Sequence, residues 1–232
     1  MKRIAIIPAR GGSKRIPRKN IKDFFGKPVI AYAIELAIKS KLFDEVFVST
    51  DCDEIRNISI LYGASVPFLR SSKNASDSST ILSTIKEVLN NFDSKGYHFE
   101  YCCILFPISP LIHKEDLKKG FQLLIQSPGY DSLLSIGTYG HPIERSFQID
   151  NVSNTISSNK NFHSVMTQDL PERYFDAGQF CWFDIKQILK KNSLITDNTR
   201  GMILNELQFQ DVDNKIDWEI LKIKFQNKKS YD

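Results

Sequence analysis

Four cysteines in 232 residues, at Cys52, Cys102, Cys103 and Cys181, form no C-x-x-C pair and no regular spacing, which excludes a disulfide framework. They read as small buried or half-buried hydrophobes, with the adjacent Cys102 and Cys103 pointing to opposite faces of a strand. The four histidines (His98, His113, His141, His163) make no H-E-x-x-H motif and pair with no cysteine, so a zinc site has no support. Long apolar runs are also missing. The two longest, Val29 to Ile34 and Tyr101 to Phe106, are six residues each, against the roughly 18 that a membrane-spanning helix needs. No bilayer crossing is expected. The opening MKRIAIIPARGG lacks the apolar stretch of a secretory signal, which makes the cytoplasm the expected location. With 11 Gly, 9 Pro, 41% hydrophobic and 25% charged residues, the chain is neither collagen-like, low in complexity nor disordered. Its length suits one large domain, or one domain with an insertion.

What the sequence does have is positive charge in one place. The formal net charge is only +4, yet the stretch from Arg10 to Lys27 carries seven basic residues (Arg10, Lys14, Arg15, Arg18, Lys19, Lys22, Lys27) against one acid, Asp23. The rest of the chain is therefore slightly acidic. A general nucleic-acid binder spreads Lys and Arg over a face or along a helix, whereas a dense cluster behind a strand points to a local anion site. Phe24 and Phe25 are a single aromatic pair beyond the cluster, weak support for an RNA-binding alternative. Lys222, Lys224, Lys228 and Lys229 read as the solvated face and fraying end of a terminal helix.

The hydrophobic pattern alternates between strand and helix periods. Arg3 to Ala9 is a β-branched run ending at a Pro and a Gly pair. Pro28 sits where a first helical residue is expected, followed by Ile30, Ala33, Ile34, Ala37 and Ile38 at helical spacing. Glu45 to Ser49 reads as strand, Asp53 to Tyr62 as helix stopped by Gly63, Ser65 to Leu69 as short strand, and Thr80 to Phe92 as helix. Tyr101 to Phe106 suits a central parallel strand covered on both faces, and Lys114 to Ile125 an amphipathic helix. Between Tyr139 and Pro171 periodicity fails, suggesting an inserted hairpin arm over about 139–171. Gln179 to Phe183 and Gln208 to Val212 read as strands and Ile216 to Ile223 as a final helix. The expected class is α/β: a Rossmann-like, mainly parallel sheet with helices on both faces and an inserted arm.

The segment IPARGGSKRIPRKN follows the first strand, at the carboxyl edge where open α/β sheets bind ligands. Gly11 and Gly12 let the backbone present N–H groups, Ser13 adds a hydroxyl, and Arg10, Lys14 and Lys19 add positive charge. These are the parts of a polyphosphate cradle. Neither G-x-G-x-x-G nor G-x-x-x-x-G-K-[ST] can be drawn through it, so a dehydrogenase or P-loop ATPase is disfavoured. A solvated turn is the bland alternative. Transfer at phosphorus needs a divalent ion, Mg²⁺ above all, to bridge phosphate oxygens. Asp211 and Asp213, two apart after an expected strand, could both reach one such cation. Taken alone, Asp213 could instead cap the last helix, and Asp51 is expected to cap the helix after it.

IPARGGSKRIPRKN resembles the signature loop of the acylneuraminate cytidylyltransferases, and the resemblance runs on through GKPVIAYAIELA, VFVSTD, PFLRSSKNASD, PISPL, QDLPERYFDAGQF and DVD. DAGQF and QDLP are most like the branch acting on pseudaminic acid. Sialic acid enzymes usually have Asn-Gly-Ala in place of Asp176, Ala177 and Gly178, and Gln-Pro in place of Phe106 and Pro107. Met166 stands where Arg is expected and Cys181 where an aromatic is usual. The resemblance implies one nucleotidyltransferase domain over residues 1–232, working as a homodimer. It would transfer CMP from CTP to the anomeric hydroxyl of a nine-carbon ulosonic acid, with neuraminic or legionaminic acid as the alternative sugars and a catalytically silent nucleotide-binding module as the alternative class. It assigns Arg10, Gly11, Gly12, Ser13 and Lys14 to the CTP phosphates, Lys19 to the α-phosphate region and Asn20 to the nucleotide. Arg70 and the Asp77 to Ser79 stretch go to cytosine and ribose, Asp211 and Asp213 to Mg²⁺, and Gln168, Asp176 and Gln179 to the sugar. Arg10, Lys14 and Lys19 would carry catalysis. Arg145 and Arg173 are candidate partners for the sugar carboxylate.

Overall fold

A computed structural model describes residues 1–13, 15–126, 129–158, 160–162 and 164–229. Six strands form one sheet: β1 (Arg3–Pro8), β2 (Glu45–Ser49), β3 (Tyr101–Leu105), β4 (Ser132–Thr138), β5 (Tyr174–Asp184) and β6 (Thr199–Ile203), in the spatial order β6-β4-β5-β3-β1-β2. All neighbours are parallel except those of β5, which runs antiparallel to both β3 and β4. The expected Rossmann-like sheet is thus mainly parallel. Tyr101–Leu105 is central and buried, but it is parallel only on its β1 side.

Alternation along each strand splits the core into two layers. Ala5, Ile7, Cys103, Leu105, Phe180 and Trp182 face one side, against α1 (Val29–Ser40), α2 (Asp53–Leu61) and α4 (Lys114–Ile125). Ile4, Ile6, Cys102, Ile104, Cys181 and Phe183 face the other, against α3 (Ile81–Asp93) and α5 (Ile185–Lys191). Cys102 and Cys103 do point to opposite layers, and burial pushes their thiols well above the ordinary range. A third, smaller cluster joins Ile16, Phe24 and Val29 to Val212 and to Trp218, Leu221 and Phe225 of α6 (Lys215–Lys229). Among the described residues no helix is long and apolar enough to cross a membrane.

Several boundaries differ from the periodicity. Pro28 is not the first helical residue but the extended residue before it, with φ −56° and ψ 136°. Ser65 to Leu69 is no strand: Ser65 makes one bridge to Phe47, and Pro67 has no N–H to continue a ladder. Gln208 to Val212 is a short turn (Glu206–Gln208) and irregular backbone, held instead by Lys224 Nζ, which donates to the carbonyls of Glu206 and Phe209, each at 2.8 Å. The strand at this edge is Thr199–Ile203, which the sequence reading passed over together with Ser132–Thr138 and α5. The expected arm contains an antiparallel hairpin, Phe147–Ile149 with Ile156–Ser158, whose Phe147, Ile149 and Ile156 are all exposed.

Two features of β4 shape the site. Its pairing with β5 slips register around Ser135, whose Oγ donates to the Phe180 carbonyl at 2.9 Å and accepts the Phe180 N–H at 3.1 Å. This hydroxyl satisfies the backbone that the bulge leaves unpaired. Two residues on, Gly137 is packed against the ring of Phe209 and lies where an added Cβ would come within 2.8 Å of Phe175 Cζ. Phe209 anchors the segment that leads to Asp211. Gly137→Ala should therefore destabilise the fold by about 1–3 kcal/mol, measured by urea unfolding; an unchanged midpoint would show that the Phe209 segment yields freely.

Candidate functional site

The carboxyl ends of β1 and β3 open into a cleft of about 550 Å³. Its wall includes Arg10, Ser13, Lys19, Asn20, Arg70, Asp77, Ser79 and Asp211, so the loop after β1 and the segment before α6 share one cavity. Arg15, Phe106, Ile108 and Gly178 also line it. Lys14 lies outside the described residues.

The loop is held at three points. Gly11 N–H donates to Asp51 Oδ1 at 2.8 Å, and Asn20 Nδ2 donates to the Arg10 carbonyl at 3.0 Å from a buried position. Ser13 N–H closes a tight turn onto the Gly11 carbonyl at 2.9 Å. Gly11 is required by close approach, since an added Cβ would sit 3.0 Å from Cys52 Cβ, whereas Gly12 faces open space. Asp51 thus corrects the helix-cap expectation: residue Cys52 occupies the α2 cap without a side-chain bond, and Asp51 grips the loop. Of the cradle amides, those of Gly11 and Ser13 are already bonded within the loop's own framework.

Among the described residues, Arg10, Arg15, Lys19 and Arg70 each have a partner. Arg10 Nη1 is 2.7 Å from Asp77 Oδ1, Arg15 Nη2 is 2.8 Å from Asp213 Oδ1, and Lys19 Nζ donates to the Val212 carbonyl at 2.7 Å. Burial pulls the Lys19 pKa below the usual lysine range, against the opposing pull of Asp213 and Asp211. Arg70 is not a surface ion pair: its guanidinium donates to Ser49 Oγ at 3.0 Å and to the Ser49 carbonyl at 2.6 Å, and burial lowers its pKa. Ser79 Oγ lies 2.9 Å from Ser83 Oγ at the start of α3. Asp213 does not cap the last helix. Asn214 Oδ1 accepts the Asp217 N–H, and Asp217 Oδ2 accepts the Asn214 N–H, a reciprocal box that leaves the Asp213 carboxylate to Arg15. The Asp211 carboxylate accepts no hydrogen bond among the described residues and lines the cleft.

The expected sugar residues separate from this group. Gln179 is buried, its Nε2 donating to the Ala177 carbonyl at 2.9 Å, and it is not among the residues lining the cleft. Asp176 Oδ1 accepts the Gly178 N–H at 2.9 Å, fixing the irregular stretch of β5 in which Gly178, with φ +62°, reaches the cleft. Gln168 is exposed at the base of the arm, away from the cleft lining. Arg173 pairs with Glu144 at 2.8 Å, and Arg145 donates to the Val165 carbonyl; neither lines the cleft. Arg15 and Asp51 are not marked as site residues by the sequence: Arg15 shows only in the charge count, and nothing in the sequence says which carboxylate it meets.

An open α/β sheet with a glycine-containing cationic loop at its carboxyl edge, and a carboxylate there that accepts no hydrogen bond among the described residues, has the parts of a nucleotide-handling transferase. Comparison with known proteins narrows this. Residues 4–205 match the family model described as "Cytidylyltransferase". The chain is 34% identical over 223 residues to the pseudaminic acid cytidylyltransferase of Campylobacter jejuni, covering 96% of each. It is 32% identical to the CMP-N,N'-diacetyllegionaminic acid synthase of Legionella pneumophila, covering 95% of this chain and 94% of that one. Among solved structures it superposes with a TM-score of 0.72 on CMP:2-keto-3-deoxy-manno-octonic acid synthetase complexed with CTP, at 16% identity, covering 98% of this chain and all (100%) of the other. The chain belongs to the cytidylyltransferase family, CTP-using nucleotidyltransferases.

Asp51 gives a test of how the loop works. Removing a negative charge beside an anion site should by itself tighten nucleotide binding; losing the bond that holds Gly11 should weaken it. The second effect is expected to win, with Asp51→Ala raising the CTP dissociation constant roughly tenfold in calorimetry. Tighter binding would mean that Asp51 merely repels.

Proposed function

We propose that the protein transfers CMP from CTP to the anomeric hydroxyl of a nine-carbon ulosonic acid, with pseudaminic acid as the natural acceptor and pyrophosphate released. The observation that carries this reading is the meeting of the β1 loop and Asp211 in one cleft of a chain whose full-length relatives are named for such sugar acids.

The acceptor hydroxyl attacks the α-phosphorus in line as the bond to pyrophosphate breaks, and its proton passes to solvent or to a leaving oxygen. Little covalent work falls to the protein, so positioning and charge neutralisation by Arg10, Lys14 and Lys19 are its main contributions. Gly12, Ser13 and Asn20 would hold the phosphates and nucleotide, and Arg70, Asp77 and Ser79 the cytidine. Lys19, half-buried and bound to a main-chain carbonyl, is a fixed charge with little reorganisation to undergo.

The donor set fits a hard divalent ion. Asp211 lines the cleft with a carboxylate that accepts no hydrogen bond among the described residues, and Asp213, two residues on and paired with Arg15, offers a second. That suits Mg²⁺, which takes one or two carboxylates and fills its shell with substrate phosphates and water. Bound there, Mg²⁺ would polarise phosphate oxygens and lower the acceptor hydroxyl's pKa. Asp211 and Asp213 are the residues that would hold it.

The sugar end and the oligomer are the finer parts of the proposal. Asp176, through Gly178, shapes the cleft wall beside Phe106, and Gln168 extends from the arm. The exposed Phe147, Ile149 and Ile156 on the arm's hairpin are the surface on which a second copy would pack to form a homodimer.

Pyrophosphate release should require CTP, fall to background with EDTA, and show its highest kcat/KM with pseudaminic acid in a panel including N,N'-diacetyllegionaminic and N-acetylneuraminic acids. A better acceptor in that panel would displace the sugar assignment; no release with any sugar acid would remove the transfer itself. Sedimentation should show a dimer that Phe147→Ser with Ile149→Ser converts to monomer; a monomeric wild-type chain would dispose of the arm's role.

A further inference from the structure

Arg15 is not needed to explain the cleft's anion affinity, yet it is the residue that binds one of the two acidic side chains. Its guanidinium lies 2.8 Å from Asp213 Oδ1, and its own side chain lines the cavity into which Asp211 faces. Asp213 is not otherwise occupied by helix capping, because Asn214 and Asp217 cap α6 between themselves. The Asp213 backbone is fixed: its N–H donates to Asp217 Oδ2 at 2.8 Å, and the preceding carbonyl is held by Lys19. Any rearrangement at this point therefore falls on side chains. Arg15 is the more exposed member, with 71% of its side chain in solvent against 42% for Asp213, so little packing opposes its leaving the pair.

From this arrangement we propose that Arg15 is a placeholder cation: in the nucleotide-free protein it takes the Asp213 carboxylate that a divalent ion requires, and it gives up that carboxylate for the triphosphate when nucleotide arrives. The idea rests on the metal reading given above. Without nucleotide, a divalent ion must break the Arg15 ion pair and sit beside a guanidinium, so Asp211 alone holds it weakly. With nucleotide, the guanidinium has a better anion to bind, since planar guanidinium groups pair bidentately with phosphate oxygens. The exchange makes metal and triphosphate bind cooperatively, and by linkage each favours the other equally. Arg15 is in this sense a positioning residue that delays metal occupancy until substrate is present.

One substitution should then move two affinities in opposite directions. In Arg15→Gln, Mn²⁺ alone, followed by electron paramagnetic resonance, should bind roughly three- to tenfold more tightly than to the wild type, because an exposed ion pair and a neighbouring positive charge are both removed. CTP alone, followed by calorimetry in EDTA, should bind more weakly. A structural role for Arg15 would weaken both. Arg18→Gln, which removes the same charge from a side chain paired with Glu54, should leave both affinities within about twofold of wild type. Adding Asp211→Asn to Arg15→Gln should abolish the gain in Mn²⁺ affinity. Equal or weaker Mn²⁺ binding in Arg15→Gln, or the same gain in Arg18→Gln, would overturn the placeholder role. Wild-type protein with CTP reports on the underlying metal reading: if Asp211→Asn leaves Mn²⁺ binding there unchanged, that reading fails and the placeholder falls with it.

Discussion

The site exists because a small apolar cluster ties the two ends of the chain together. Ile16 from the cationic loop, Val212 from the acidic segment and Trp218, Leu221 and Phe225 from α6 are all buried against one another. Fully burying a side chain of this size contributes about 1.5–3 kcal/mol, so the cluster can oppose the cost of gathering Arg10, Arg15 and Lys19 around one cavity. Lys19 Nζ then bonds the carbonyl of Val212, a residue of the same cluster, across 193 positions of sequence. Packing sets the distance, and electrostatics works within it. Weaken the packing and the loop's like charges would spread into solvent, with the carboxylates no longer opposite them.

Much of this fold was legible in the sequence where period and burial agree. The strand run at the start, the helices at 29–40, 53–61, 81–93 and 114–125, and the buried central strand at 101–105 all carry strong periodic signals, and their boundaries moved by only a residue or so. The failures have specific causes. Ser132–Thr138 contains Ser132, Ser135 and Gly137, polar or side-chainless positions that are buried for hydrogen bonding and for the Phe209 ring, so the apolar signal is broken. Thr199–Ile203 lies at the sheet's edge, where exposed and buried positions mix. Gln208 to Val212 looked like a strand because Phe209 and Val212 are buried, but side chains of α6 and the loop hold it.

The site was legible in composition and not in pairing. Charge density marked the loop, and the spacing of Asp211 and Asp213 marked its counterpart. Which cation meets which carboxylate depends on tertiary placement. Asp51 illustrates the point: next to a helix start it looks like a cap, yet the close passage of Gly11 against Cys52 draws its carboxylate to the Gly11 amide. Gln179 shows the converse, a buried polar side chain within β5 that turns back to its own backbone.

The cations described at the cleft are held by partners within the protein, and this bears on what binding means here. Arg10 rests on Asp77, Arg15 on Asp213, Lys19 on a carbonyl, and Arg70 on Ser49. A triphosphate bound there as proposed would displace carboxylates from Arg10 and Arg15, so its gain at those two guanidiniums would be the difference between phosphate and carboxylate as a partner. That difference is small for a lone phosphate and accumulates along a chain of them, which favours a triphosphate over shorter anions. The carboxylates set free by the exchange would repel the same triphosphate unless a cation joined them. In the proposed reaction, anion affinity and the need for a divalent ion would be two consequences of one set of ion pairs, those of Arg10 with Asp77 and Arg15 with Asp213.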